Sequence, residues 1–142
     1  MSDDNRRLRI MIVDDSATLR ALLHRTLKNI DRSLDLAEFD NGDAALDYYK
    51  PDKVDLVLLD INMPGKDGIE VLEALKVSNP DCFVVMVTAN RTNEWVIKAK
   101  QLGANGYIAK PFSADKLHKV LDDCMRYRLL KAHAAEERRV GA

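Results

Sequence analysis

No stretch of this sequence is long and apolar enough to cross a bilayer. Its longest apolar runs are about five or six residues, far short of the ~20 that a spanning helix needs. The amino terminus, MSDDNRRLRI, lacks the apolar centre of a secretory signal. An excess of either charge is missing as well: 22 Lys and Arg against 23 Asp and Glu leave a formal net charge of -1. That balance gives no electrostatic case for nucleic acid or an anionic membrane as the main partner. Only two cysteines are present, Cys82 and Cys124, far apart in the chain. Without a secretory signal the expectation is two buried free thiols in a cytoplasmic protein. The three histidines, His24, His118 and His133, show no metal-ligand spacing. No Gly-rich phosphate loop and no nucleophilic Ser or Cys motif occurs.

What is there is a rhythm. The 142 residues, 46% hydrophobic and 32% charged, suit one domain with a real core. LRIMIV (8–13) reads as a buried strand ending on Asp14-Asp15. From Ser16, an N-cap by residue type, the pattern turns helical, with Leu19, Leu22, Leu23, Leu27 and Ile30 on one stripe. LDLAEF (34–39) alternates like an edge strand. Asn41-Gly42 then turns into a short helix that Pro51 stops. A third strand spans 55–60, followed by a helix at about 68–78 with Ile69, Leu72 and Leu75 inward and Asn79-Pro80 at its end. FVVMVT (83–88) is a continuous apolar strand. The next helix, about 93–102, is closed by Gly103. GYIAK (106–110) is a short last strand, and Ser113 caps a final helix with Leu117, Val120, Leu121 and Cys124 inward.

Five strand–helix repeats predict an α/β fold: a five-stranded parallel sheet with helices on both faces, doubly wound. The weak second and fifth strands belong at the edges and the three apolar ones in the centre. The order 2-1-3-4-5 satisfies this with right-handed crossovers. Ligands in such sheets bind outside the carboxyl ends of the strands, at the switch point between strands 1 and 3.

Those ends carry chemistry. The first strand delivers Asp14 and Asp15, the third Asp60, the fourth Thr88, and the fifth Lys110 followed by Pro111. Three carboxylates and one ammonium sum to -2, and crowded carboxylates raise one another's pKa values unless a cation joins them. A hard divalent ion with oxygen ligands fits, and Mg²⁺ suits a site with few protein ligands and several waters. Metal, lysine and hydroxyl around one acid are the parts that stabilise phosphoryl transfer. Asp60 can be the nucleophile, because carboxylates form aspartyl phosphates. Read singly, each residue has an ordinary structural explanation. The Asp pair would favour a helix dipole, Thr88 would be a β-branched strand residue, Lys110 a surface lysine and Tyr107 an edge aromatic. Their common address sets these aside.

The segments IMIVDDS, VLLDINMPGKDG, VVMVTA and GANGYIAKPF, in this order over residues from about 9 to 112, resemble the response-regulator receiver domain, the flavodoxin-like fold of the chemotaxis receivers. Chemotaxis receivers are a standard example of the 2-1-3-4-5 order, so the order adds no independent weight. The resemblance implies that Asp60 is the phosphorylated residue. It implies that Asp15 and Asp60 ligate Mg²⁺, with Asp14 helping through water and Asn62 giving its main-chain carbonyl. Thr88, the adjoining Ala89 and Lys110 would hold the phosphoryl oxygens. Tyr107 would be the switch aromatic, turning inward as Thr88 moves, and Lys110-Pro111 would be cis. Residues 1–127 would form the receiver, with 128–142 a helical, mildly basic extension of the last helix. A partner histidine kinase or phosphotransfer protein would phosphorylate the chain. Output would pass through the face of helix 4, strand 5 and helix 5 to a downstream protein, with the chain a monomer or a weak dimer through that face. This reading expects no DNA-binding domain, so that output is by protein contact. The domain would take part in its own phosphorylation and dephosphorylation without being an enzyme for a free substrate.

Two other functions fit the same fold. A Mg²⁺-dependent aspartyl-phosphate phosphatase wants a second acid two residues after the nucleophile, where this chain has Asn62. A flavin-binding electron carrier wants Ser, Thr and Gly after the first strand, where DDSATLR offers two acids. Trp95 is open between core and contact face, and the basic tail between a solvated helix end and a binding arm. Asn62 and Asn90 lie near the expected path of attacking water.

Overall fold

Short apolar runs alternate with 3.6-period amphipathic segments, and the chain folds accordingly. The computed structural model describes residues 8–63, 65–89 and 93–141. In chain order these form β1 (Arg9–Val13), α1 (Ala17–Ile30), β2 (Asp35–Phe39), α2 (Gly42–Tyr48), β3 (Leu56–Leu59), α3 (Gly68–Ser78), β4 (Val84–Thr88), α4 (Asn93–Gln101), β5 (Gly106–Ala109) and α5 (Ala114–Gly141). The sheet order is β2-β1-β3-β4-β5 and every pairing is parallel, as the sequence pattern predicts.

Strand side chains alternate between the two faces, so the central strands feed two cores. Met11, Val13, Val57, Leu59, Val84 and Met86 point into one, with Ile69, Leu72 and Leu75 of α3. Ile10, Ile12, Leu56, Leu58, Val85 and Val87 point into the other, with Leu23 and Leu27 of α1 and Leu117, Leu121 and Cys124 of α5. All of β3 and β4 is buried, which is why those strands read as unbroken apolar runs. Both cysteines are free and buried. Among the described residues no helix is long and apolar enough to cross a membrane.

The helix starts are set by short polar side chains. Ser16, Asn41 and Asp67 each accept a hydrogen bond from the amide three residues on, at 3.2, 2.8 and 2.9 Å. Gly103, at φ 95, sits where α4 has ended. Trp95 is half-buried and packs on the first core. Two expectations need correction. Leu22 is 37% exposed, because it lies a helical step off the Leu23–Leu27 line that faces the sheet. β2 does not alternate cleanly: Leu36 and Ala37 are both half-buried, since an edge strand is covered incompletely on each face.

The segment after β3 folds back tightly. The Gly68 amide donates to the Ile61 carbonyl at 2.8 Å, and a Cβ built at Gly68 would lie 2.0 Å from the Asp60 carbonyl oxygen. Only glycine allows α3 to start this close to the strand end. At Gly42 the added Cβ would instead meet the tip of the Val71 side chain, 2.5 Å away. Gly68→Ala is therefore expected to lower the unfolding free energy by about 1–3 kcal/mol, and Gly42→Ala by clearly less, because a side-chain tip can swing aside. Equal losses in urea unfolding would show that the backbone around Asp60 yields as easily as a side chain.

Candidate functional site

The strands do not stop at their last ladder residue. The Asp14 amide donates to the Phe39 carbonyl, the Asp60 amide to the Val13 carbonyl and the Lys110 amide to the Thr88 carbonyl, each at 3.0 Å. Sheet-type bonding thus fixes the main chain of three charged residues just beyond β1, β3 and β5. A parallel sheet brings these ends to one edge. Asp14, Asp15 and Asp60 each offer an oxygen there, all within 4.8 Å of one another. Lys110 Nζ lies 2.8 Å from Asp14 Oδ2 and 3.4 Å from Asp60 Oδ2.

Burial differs among the acids. Asp14 and Asp60 are only 2% and 5% exposed, whereas Asp15 is exposed. Asp14 Oδ1 accepts from the Ser16 amide at 2.8 Å, and Asp60 Oδ1 accepts from the Asn62 amide at 3.3 Å. Thr88 is fully buried at the end of β4, and its hydroxyl donates to Asp60. Burial pushes the Asp60 carboxyl above its ordinary range. Lys110 opposes that shift, Asp14 adds to it, and the bonds from Thr88 and the Asn62 amide also oppose it.

The other predicted positions surround this group. Asn62 and Ala89 are exposed at the rim. Tyr107 is half-buried on β5 and packs on the first core. The Lys110-Pro111 bond is cis. Asn90 lies outside the described residues, as does Pro64 in the loop after Asp60. The sequence reading missed Arg20. Its guanidinium donates to the Asp14 carbonyl at 2.7 Å and is backed by Glu38 of β2 at 3.8 Å, which also holds His24 at 2.8 Å. The available signal was a basic side chain near a helix amino terminus, where the dipole disfavours it.

The donor set fits a hard divalent cation. It is all oxygen, two of its three carboxylates are nearly dry, and one lysine cannot neutralise them. A cavity of about 340 Å³ lined by Tyr49, Asp55, Phe83, Tyr127 and Arg128 lies beside the other end of β3, remote from this chemistry.

The raised Asp60 carboxyl has a sign for stability. The folded chain holds that proton more firmly than the unfolded chain. This favours folding below the ordinary carboxylate range, and the advantage is lost as pH rises through the raised value. Asp60→Asn is therefore expected to raise the melting temperature at neutral pH without divalent cation, and to change it little in acid. Mg²⁺ should stabilise the parent chain more than this variant. Calorimetry at the two pH values checks both. A neutral-pH melting temperature lowered by Asp60→Asn would contradict the strain assigned to this carboxylate.

The response regulator receiver domain family matches residues 10–122. Chemotaxis protein CheY-3 of Vibrio cholerae is 38% identical over 120 residues, 83% of this chain and 92% of that protein. Sporulation initiation phosphotransferase F of Bacillus subtilis is 35% identical over 125 residues, 88% of this chain and 97% of that one. Among solved structures, the signal receiver domain of a putative LuxO repressor protein from Vibrio parahaemolyticus aligns with TM-score 0.80 at 26% identity, covering 89% of this chain and 96% of that one. The CheX-CheY-BeF3-Mg+2 complex from Borrelia burgdorferi aligns with TM-score 0.74 at 25% identity, covering 84% and 96%. Nothing in these matches supports a phosphatase or a flavin carrier. A sheet of this order, a family match across its length and relatives named for chemotaxis and phosphotransfer lead to one assignment: the chain belongs to the response regulator receiver domain family, the phosphorylation-activated switches of two-component signalling.

Proposed function

We propose that Asp60 accepts a phosphoryl group from the phosphohistidine of a partner kinase or phosphotransfer protein. The observation that carries this is one buried carboxylate, Asp60, sharing its surroundings with two more acids, a lysine and a hydroxyl. An Asp60 carboxylate oxygen attacks phosphorus, the phosphorus–nitrogen bond breaks, and the histidine leaves with the electron pair. Asp15, Asp60 and the Asn62 carbonyl would hold Mg²⁺, with Asp14 acting through water. Bound there, Mg²⁺ supplies neutralisation of the phosphoryl oxygens.

This chain's own groups do the rest. Asp14 and its hydrogen bonds hold Lys110 at the site. Lys110, the Thr88 hydroxyl and the Ala89 amide meet the phosphoryl oxygens. Movement of Thr88 lets Tyr107 turn inward and changes the α4–β5–α5 face that a downstream protein reads. The phosphorylated form shifts the population toward the state that binds the phosphoryl group better. The reading takes residues 1–127 as the receiver and 128–142 as an extension, in the cytoplasm. The domain contributes to its own phosphorylation and dephosphorylation and turns over no free substrate. The Borrelia complex, a CheY bound to a second protein, supports recognition of such a domain by another protein.

Incubation with Mg²⁺ and a small acyl phosphate is expected to add one labile phosphoryl group, seen by intact mass. Asp60→Asn and chelation of the metal each remove it. Thr88→Ala, losing one preorganised donor, should slow its formation on the order of a hundredfold. The proposal fails if no adduct forms with Mg²⁺ saturating, or if the adduct survives Asp60→Asn.

A further inference from the structure

α5 outruns the body on which it packs. Leu117, Leu121 and Cys124 are buried against the sheet. Farther on, Tyr127 OH donates to the Asp81 carbonyl at 3.1 Å, Lys131 pairs with the Asp81 carboxylate at 3.0 Å, and Arg128 reaches Asp55 at 3.6 Å. From Ala132 to Arg138 every residue is exposed. The ion pair described there, His133 to Glu137 at 3.1 Å, stays within the helix. A helical segment this short has little stability of its own without packing. At its root Leu129 and Leu130 stand 49% and 63% exposed.

One stripe of this segment has an internal symmetry. Arg126, Leu130, His133 and Glu137 are spaced by four, three and four residues. At 3.6 residues per turn they lie on one side of the helix, the spacing by which helices pair. That side points away from Leu117, Leu121 and Cys124, so the body of the domain does not cover it. All four are exposed. The four-three-four spacing reads the same in both directions, but the charges do not: the positive end is Arg126 and the negative end Glu137.

A second copy fits this pattern in one orientation. Run antiparallel about a two-fold axis between Leu130 and His133, each Arg126 faces the partner's Glu137 and each Leu130 faces the partner's His133. Leu129 flanks this centre. Run parallel, like charges meet at both ends. We propose that the distal half of α5 is a self-association surface, on which two chains pair antiparallel along this stripe. The interface is isologous, as a two-fold dimer requires. It spans roughly 17 Å of helix, small for a stable interface, so the dimer is reversible and weakened by salt. It uses residues 126–137 and does not require phosphorylation of Asp60.

Sedimentation velocity of the full chain over a range of concentrations, at low and high salt and with neither Mg²⁺ nor a phosphoryl donor, tests the pairing. A monomer–dimer equilibrium that weakens with salt is expected. Leu130→Glu should abolish the dimer, and circular dichroism should show that the fold survives. Arg126→Glu alone should raise the dissociation constant about tenfold, because two attractive pairs become repulsive. Combining Arg126→Glu with Glu137→Arg should restore association. A monomer at every concentration overturns the proposal. So does a dimer indifferent to Leu130→Glu, or a double variant no better than either single one. Because no phosphoryl group is involved, failure here leaves the phosphoacceptor reading standing, and failure of that reading leaves this one standing.

Discussion

Two nearly dry carboxylates share one ammonium at the end of this sheet, and the rest of the structure is arranged to keep them there. Asp14 and Asp60 each sit against Lys110, in a place where burial disfavours charge. Left to relax, like charges in such a setting would separate or turn to water. They cannot do so, because sheet hydrogen bonds extend one residue past β1, β3 and β5 and fix the main chain of all three residues. Side chains pack both faces of the sheet behind them. The apolar cores thus serve the site by rigidity: the stability of the cores holds together groups that repel.

That logic was legible in the sequence because it depends on periodicity. A fully buried parallel strand reads as a short unbroken apolar run, and its last residue is where the polarity changes. VLLD and IMIVDD announce both the strand and the acid that it delivers. Gly68 was legible only in kind. Asp67-Gly68 in the sequence marks a turn, but the approach of α3 to the Asp60 carbonyl is a property of the assembled loop.

What the sequence hid depends on side-chain reach between elements. Arg20 touches the Asp14 carbonyl and Glu38 backs it from the neighbouring strand, yet each alone is an ordinary charged residue on an amphipathic element. The same holds at the opposite end of the sheet. There Arg9, just inside β1, and Arg128, on α5, both pair with Asp55 ahead of β3. Burial pushes the Asp55 carboxyl up, but the bonds from Arg9 and the charge of Arg128 outweigh it and hold the carboxyl below its ordinary range. These long-range pairs follow from the topology and have no local pattern. They also explain why α5 stays docked past Cys124, its last fully buried residue, with Tyr127 and Lys131 on Asp81.

The distances around Lys110 bear on how such a site would switch. Its ammonium is nearer to Asp14, at 2.8 Å, than to Asp60, at 3.4 Å. A phosphoryl group on Asp60 would replace one carboxylate charge by roughly -1.5 to -2 and add strong acceptor oxygens. The new anion would compete with Asp14 for the same lysine, and the Thr88 hydroxyl, already donating to Asp60, would have to follow its acceptor outward. Lys110 and Thr88 lie at the ends of β5 and β4, which are hydrogen-bonded neighbours with Thr88 opposite Ala109. Tyr107 stands on the same short β5. On the proposed reading, then, reassigning one cation and one hydroxyl at Asp60 is felt first by the edge strand that adjoins α4 and α5. The signal would leave the site on that side of the molecule for this reason. β2, at the opposite edge, has no residue within the group that changes partners.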